Sequence, residues 1–247
     1  MAETDAELAA RLAAAAGEIL LGLRTAGELA GKALGQAGDD AANAMLCREI
    51  RAARPDDGLL SEEEKDNVAR LAQSRVWIVD PLDGTREYGE GRSDWAVHVA
   101  LAIDGVAAVG AVALPGLGLT LTSGAPIPLG AANIPPKMLV SRTRPAAEAV
   151  FVAERLGAEL LAMGSAGAKA MAVVRGEADI YLHTGGQYEW DNCAPAAVAA
   201  AAGLHVSRID GAPLRYNNAD TYLPDLLICR QEFAADVLRI AGEFVKP

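Results

Sequence analysis

The segment Asp80-Pro81-Leu82-Asp83-Gly84-Thr85 sets two carboxylates three residues apart, where an apolar run ends and a glycine turn begins. The preceding run, Val76-Trp77-Ile78-Val79, is partly β-branched and aromatic. It predicts a buried strand that delivers Asp80 to its C-terminal end. Pro81 keeps Asp80 extended. Gly84 permits a close backbone approach and Thr85 can open a helix, so amide N–H groups there would face an anion. Two carboxylates beside an anion-binding turn point to a phosphate held against divalent metal.

Asp39, Glu62 and Asp191 stand out by context. Each has a plainer reading: Asp39 could begin a helix, Glu62 belongs to a solvated acidic run, and Asp191 could cap the helix after it. Asp83-Gly84 is likewise a common turn. The weight shifts with Asp80 and Asp83 together at the end of a buried strand. At an effective dielectric near 20, two carboxylates about 4 Å apart repel by about 4 kcal/mol, so a converged, bare cluster would oppose folding. Cations must occupy it. Oxygen ligation without histidine or cysteine favours Mg²⁺, with Mn²⁺ as a substitute.

Other candidates are weaker. His98, His183 and His205 are scattered and read as packing or surface residues, with His183 alone placed to meet a substrate. Gly164-Ser165-Ala166-Gly167-Ala168-Lys169 lies between a predicted strand and helix. It could present amides to a phosphate or sugar, or serve helix–sheet packing, and both readings stay open. Gly116-Leu117-Gly118 lacks the third glycine of a dinucleotide site, and Ser165 lacks a nucleophile elbow.

The 247 residues carry 22 Lys+Arg against 33 Asp+Glu, a formal charge of -11. Such a surface repels a polymeric nucleic acid or an anionic membrane, yet admits a small phosphorylated ligand once bound cations reverse the local sign. Cys47, Cys193 and Cys229 have no zinc-type spacing and read as reduced, buried thiols. Glu3, Asp5 and Glu7 stand where a secretory leader would be basic. The longest apolar stretch, residues 193–204, falls short of the roughly 20 residues a membrane span takes. A soluble cytoplasmic protein is expected.

The elements that must position these residues follow from periodicity. Residues 6–34 predict one long helix or two abutting ones, and a second helix from Asp39 or Asp40 to Arg54. Residues 95–103, 106–114 and 117–121 predict antiparallel strands. Residues 126–136, rich in proline, join two halves of one domain, about 1–125 and 137–247. The second half alternates: strand 138–141, helix 145–156, strand 159–163, helix 166–175, strand 179–183, helix 192–202, strand 226–229, helix 232–244. The whole is a layered α/β fold.

Together these residues resemble the lithium-sensitive, magnesium-dependent phosphatases of the inositol monophosphatase superfamily, which also holds fructose-1,6-bisphosphatase and the 3′(2′),5′-bisphosphate nucleotidases. The resemblance rests on Asp39 with Ala42-Asn43, Leu60-Ser61-Glu62-Glu63, Trp77 through Thr85, Gly164-Ser165-Ala166, and Trp190-Asp191 before an alanine-rich helix ending at Gly203. It implies an αβαβα sandwich, a site between the two halves, and a homodimer. Within the superfamily the chain is most similar to the bacterial CysQ type, which removes the 3′-phosphate of 3′-phosphoadenosine 5′-phosphate. Leu82 with Thr85-Arg86-Glu87-Tyr88, Ser61 before the paired glutamates, and Thr184 six residues before Trp190 carry that narrower likeness. Lys32 followed by Ala33-Leu34-Gly35-Gln36-Ala37-Gly38, and residues 184–189, depart from common family forms, so adenosine contacts do not carry across.

The resemblance implies roles. Glu62, Asp80 and the Leu82 carbonyl would hold one Mg²⁺, Asp80, Asp83 and Asp191 a second, and a third would lie near Glu62. Phosphate would rest at Gly84 and Thr85, with Thr85, oriented by Asp39, positioning the attacking water. Ser165, Ala166, Lys169 and His183 would contribute to the substrate wall. It further implies lithium inhibition, and Asp83→Asn is expected to abolish turnover while leaving the protein folded. Competing readings are an inositol-1-phosphate or fructose-1,6-bisphosphate phosphatase, a binding partner in transcription or RNA processing, and a metal-stabilised structural protein.

Overall fold

The computed structural model describes residues 3–244. Helix α1 (Asp5–Ala26) opens on a reciprocal cap, in which Thr4 accepts the Glu7 N–H and Glu7 accepts the Thr4 N–H. Helix α2 spans Gly31–Ala53. Its start corrects the expectation of a helix opening at Asp39 or Asp40, because Asp39 lies inside α2. Glycines at 31, 35 and 38 argue against a helix by propensity, but tertiary packing uses two of them, Gly35 and Gly38, directly. A Cβ on Gly35 would lie 2.6 Å from Thr85 Cγ2, so the small residue lets α2 close on the phosphate-type turn.

The first sheet runs in the spatial order β1 (Gly58–Ser61), β2 (Arg75–Asp83), β3 (Ala96–Ile103), β4 (Val106–Leu114) and β5 (Leu119–Thr122), with only β1 and β2 parallel. A short helix α3 (Thr85–Gly89) follows β2. The β2–β3 register shifts between Asp80, opposite His98, and Asp83, opposite Ala96. In a regular strand residues three apart face opposite sides; an extra residue at the bulge returns Asp83 to the side of Asp80.

The second sheet contains β6 (Lys137–Ser141), β7 (Glu159–Met163), β8 (Ile180–Tyr188), β9 (His205–Ser207) and β10 (Tyr222–Cys229), in the order β7-β6-β8-β10-β9. Its helices are α4 (Ala147–Leu156), α5 (Ala166–Val174), α6 (Glu189–Ala201) and α7 (Gln231–Gly242). β8 runs five residues beyond the predicted strand end, through Thr184-Gly185-Gly186. β10 pairs around those residues with a register irregularity between Leu223 and Asp225. The short β9 had no sequence expectation; three residues carry too little pattern.

Strand alternation fixes the layering. Trp77 and Val79 pack with Leu8, Leu12 and Leu46 of α1 and α2, whereas Val76 and Ile78 share a core with Met171 of α5 and Val198 of α6. That second core continues to Tyr181 and Ile228 of the other sheet. The opposite face of that sheet, with Met138, Leu182 and Leu227, packs on Val152 and Val237 of α4 and α7. The order is therefore α1/α2, sheet, α5/α6, sheet, α4/α7, the expected αβαβα sandwich. All three cysteines are free and buried. No described helix is long and apolar enough to cross a membrane.

Candidate metal centre

Asp80 and Asp83 at the end of β2 meet Asp191 at the start of α6, with one carboxylate oxygen from each within 4.8 Å of the others. Asp191 is not the N-cap residue expected from sequence, which is Tyr188, but its side chain still takes part in the cap. Because α6 begins at Glu189, Asp191 sits in its first turn, where Oδ2 accepts the Tyr188 N–H at 2.6 Å.

Buried carboxylates elsewhere in the protein have donors to match. Asp179 accepts the N–H groups of Asn133 and Lys137, and Glu189 accepts those of Asn217 and Asn218 plus the Asn218 side chain. Asp80, only 1 % exposed, accepts one hydrogen bond, from Leu82 N–H at 3.0 Å. Burial, then the charges of Glu62, Asp83 and Asp191, push its pKa well above the carboxylate range. Burial and Asp83 raise Asp191 to about 6. An all-oxygen donor set short of cations is what a hard divalent ion requires, so the residues fit such an ion.

Asp83 is the exception. Burial acts to raise its pKa, but His98, Ser165 and the Gly167 amide override that and bring it to about 2. Ser165 Oγ donates to Oδ2 at 2.5 Å, Gly167 N–H to Oδ2 at 2.6 Å and Ala166 N–H to Oδ1 at 3.1 Å. The Gly164–Lys169 turn thus spends its amides on a carboxylate, which neither open reading of that segment anticipated. Lys169 is buried and donates Nζ to the carbonyls of Gly164 and Ser165.

Glu62 stands outside the three-carboxylate locus, at the exposed rim, with its N–H on the Val79 carbonyl at 3.3 Å. Loss of solvent on its cleft side and the charge of Asp191 raise it to about 7. Asp39 is buried in α2; desolvation, then Glu63 and Glu62, raise it to about 7, with the neighbouring Thr85 hydroxyl opposing. The Thr85 hydroxyl also lies 3.1 Å from the Leu82 carbonyl and donates to it. Gly84 precedes Thr85 with φ +87°, a left-handed conformation that caps α3. Arg142, just after β6, pairs with Glu87 and Glu90 at the far end of this turn and ties the second sheet to it.

Sequence reading missed His98. Its imidazole is fully buried, with Nε2 3.2 Å from Asp83 Oδ2 and Nδ1 3.0 Å from the Trp190 carbonyl. Burial works against its charged form, but Asp83 outweighs this and raises its pKa above the ordinary value. The signal that could have found it is register: β3 pairs antiparallel with β2, and residues directly opposite share a face.

The sequence pattern of the inositol monophosphatase family matches residues 1–240. The chain belongs to the inositol monophosphatase family. It is 51% identical to the 3′-phosphoadenosine 5′-phosphate phosphatase of Mycobacterium leprae, across 97% of this chain and 94% of that protein. It is 31% identical to the 3′(2′),5′-bisphosphate nucleotidase CysQ of Escherichia coli, across 76% and 81%. CysQ from Bacteroides thetaiotaomicron shares the fold with a TM-score of 0.78 at 24% identity, covering 93% of this chain and 98% of that one. Inositol monophosphatase from Anabaena does so with a TM-score of 0.75 at 24% identity, covering 97% and 96%.

In this member of the inositol monophosphatase family, His183 lies apart from the carboxylates. It lines a cavity of about 610 Å³ with Ser141, Arg144, Thr184, Tyr222 and Asp225. Burial and the charge of Lys169 lower its pKa. The Thr184 hydroxyl donates to Glu148 at 2.6 Å. The cavity shares β8 with the segment that leads into Asp191, and Ser141 and Arg144 flank the Arg142 that reaches α3.

Proposed function

We propose that this protein is a Mg²⁺-dependent phosphomonoesterase that removes the 3′-phosphate of 3′-phosphoadenosine 5′-phosphate, and of its sulfated form. The products are AMP or adenosine 5′-phosphosulfate, and phosphate. The observation that carries the reading is the convergence of Asp80 and Asp83, at the end of β2, with Asp191, in the first turn of α6, where Thr85 follows Asp83 by two residues. The high identity to the Mycobacterium leprae phosphatase supports this substrate over inositol or fructose phosphates.

In this reading Asp80, Asp83 and Asp191, with Glu62 at the rim and the carbonyl of the buried Leu82, would hold two or three Mg²⁺ ions, or Mn²⁺ in their place. When bound, such ions neutralise charge building on the phosphate oxygens and make a water more acidic. The amides of Gly84 and Thr85 receive the phosphate. The Thr85 hydroxyl, its hydrogen directed to Leu82, accepts a hydrogen bond from the attacking water and orients it. Asp39, whose burial makes its carboxylate hold a proton more tightly than usual, takes the proton of that water. The water oxygen bonds to phosphorus as the P–O3′ bond breaks; the electron pair leaves on the ribose oxygen, which gains a proton from solvent. No covalent phosphoenzyme forms.

Ser165 and Ala166 shape the wall by holding Asp83, and Lys169 by holding the carbonyls of Gly164 and Ser165, while His183 and Arg144 offer the neighbouring cavity to the rest of the nucleotide. One domain of two halves, a cytoplasmic location and a homodimer belong to the same proposal. The test is phosphate release from 3′-phosphoadenosine 5′-phosphate, inositol 1-phosphate and fructose 1,6-bisphosphate, with and without chelator. The nucleotide should turn over fastest and chelator should stop it. Chelator-resistant turnover, or preference for inositol 1-phosphate, overturns the reading.

A further inference from the structure

Both ring nitrogens of His98 face polar atoms of the metal centre. Nδ1 lies 3.0 Å from the Trp190 carbonyl, which can only accept, so this nitrogen carries the hydrogen and donates it. Nε2 lies 3.2 Å from Asp83 Oδ2, an acceptor as well, so it too carries a hydrogen and pairs with the carboxylate by charge without an aligned hydrogen bond, sealed from solvent. Trp190 directly precedes Asp191. One ring on β3 therefore links the end of β2 to the first turn of α6, the two segments that supply the clustered carboxylates.

The fold makes room for this ring at one place. A Cβ built on Gly167 would lie 2.0 Å from His98 Nε2 and 3.0 Å from the Ala96 side chain. The same Gly167 gives its N–H to Asp83. A histidine needed only to fill core volume would not require both ring nitrogens on polar atoms, nor a glycine opposite one of them.

We propose that His98 is a positioning residue for the divalent cation. It holds the Asp83 carboxylate and the main chain before Asp191 in binding geometry before the ion arrives. Outer partners of this kind typically change metal affinity by roughly 10–100-fold when removed. The inference rests on the metal-dependent reading of the site, but not on the identity of the substrate.

The test is a titration of the chelator-stripped full-length protein with Mn²⁺, read by calorimetry or by the loss of free-ion paramagnetic signal. His98→Ala should weaken Mn²⁺ binding roughly tenfold or more. At saturating Mn²⁺ it should recover most of kcat, with KM for the nucleotide unchanged. Gly167→Ala, which leaves the imidazole in the chain but displaces it, should weaken binding in the same way. In the His98→Ala background Gly167→Ala should add little, because the two act through one contact.

A folded His98→Ala protein with parental Mn²⁺ affinity overturns the proposal. So do fully multiplicative effects in the double variant. If His98→Ala fails to fold, Gly167→Ala alone decides: parental affinity there sinks the idea. The ratio of affinities is decisive whether or not the parent hydrolyses the nucleotide, so a wrong substrate and a wrong role for His98 give different results.

Discussion

Asp80 and Asp83 are three residues apart, yet the protein treats their charges in opposite ways. Asp83 is met by Ser165, two amides and His98 and ionises near 2, whereas Asp80 has one amide and three like-charged neighbours. In chelator at neutral pH, Asp80→Asn should raise the melting temperature, since folding then no longer has to protonate this carboxyl or keep it charged among like charges. Asp83→Asn should lower it, because an amide NH₂ would face groups that donate; leaving such donors unmatched costs about 1–3 kcal/mol each. The sequence expectation is a folded, inactive Asp83→Asn protein; the donors around Asp83 add a lower melting temperature to it. Both variants should lose phosphate release. Thermal unfolding with EDTA, run beside a turnover assay, checks the pair, and equal shifts of one sign would contradict the electrostatic account. The carboxylates were legible because their types and spacing are chemically unusual. His98 was not, since a lone histidine in an apolar strand looks like packing until its register partner is known.

At the scale of elements, the β2 bulge and the approach of α2 decide the site. The run ending at Asp80 identified the strand, but nothing in its composition marked the extra residue that brings Asp83 round. The start of α2 was misplaced because local propensity penalises the glycines that packing needs. Gly35→Ala tests this. Its Cβ would fall 2.6 Å from Thr85 Cγ2, so α2 must move and carry Asp39 away from Thr85. Misplacing a catalytic group by about 1 Å can cost on the order of 100-fold. A fall in kcat of tenfold or more is therefore expected, with KM for the nucleotide little changed and helix content retained by circular dichroism. Unaltered kcat would show that the spacing of α2 and Thr85 is not critical.

For the whole molecule, the clustered acids link stability to pH. Asp39 and Glu62 near 7, Asp191 near 6, and Asp80, raised well above the carboxylate range, all hold protons more tightly when folded than when unfolded, where carboxylates ionise near 4. Between about pH 4 and 7 the folded state binds more protons, so the stability of the chelated protein should fall as pH rises. Asp83 acts oppositely: its contribution is present above pH 4 and fades towards 2. Melting temperature against pH in EDTA should therefore decline from about 4.5 to 7. Mg²⁺ should raise it more at pH 7.5 than at pH 5, where protons compete for the same oxygens. A flat profile in EDTA would mean that the carboxylates do not crowd as described.

The sequence by itself determined the layered α/β class, the acidic residues and the loop that bears them, because apolar periodicity and rare residue combinations are local properties. Tertiary structure alone decided that Asp83 turns back beside Asp80, that α5 spends its first amides on Asp83, and that His98 joins β2 to α6. Each of those depends on strand register and on the close approach of chain segments far apart in sequence, and neither leaves a local trace.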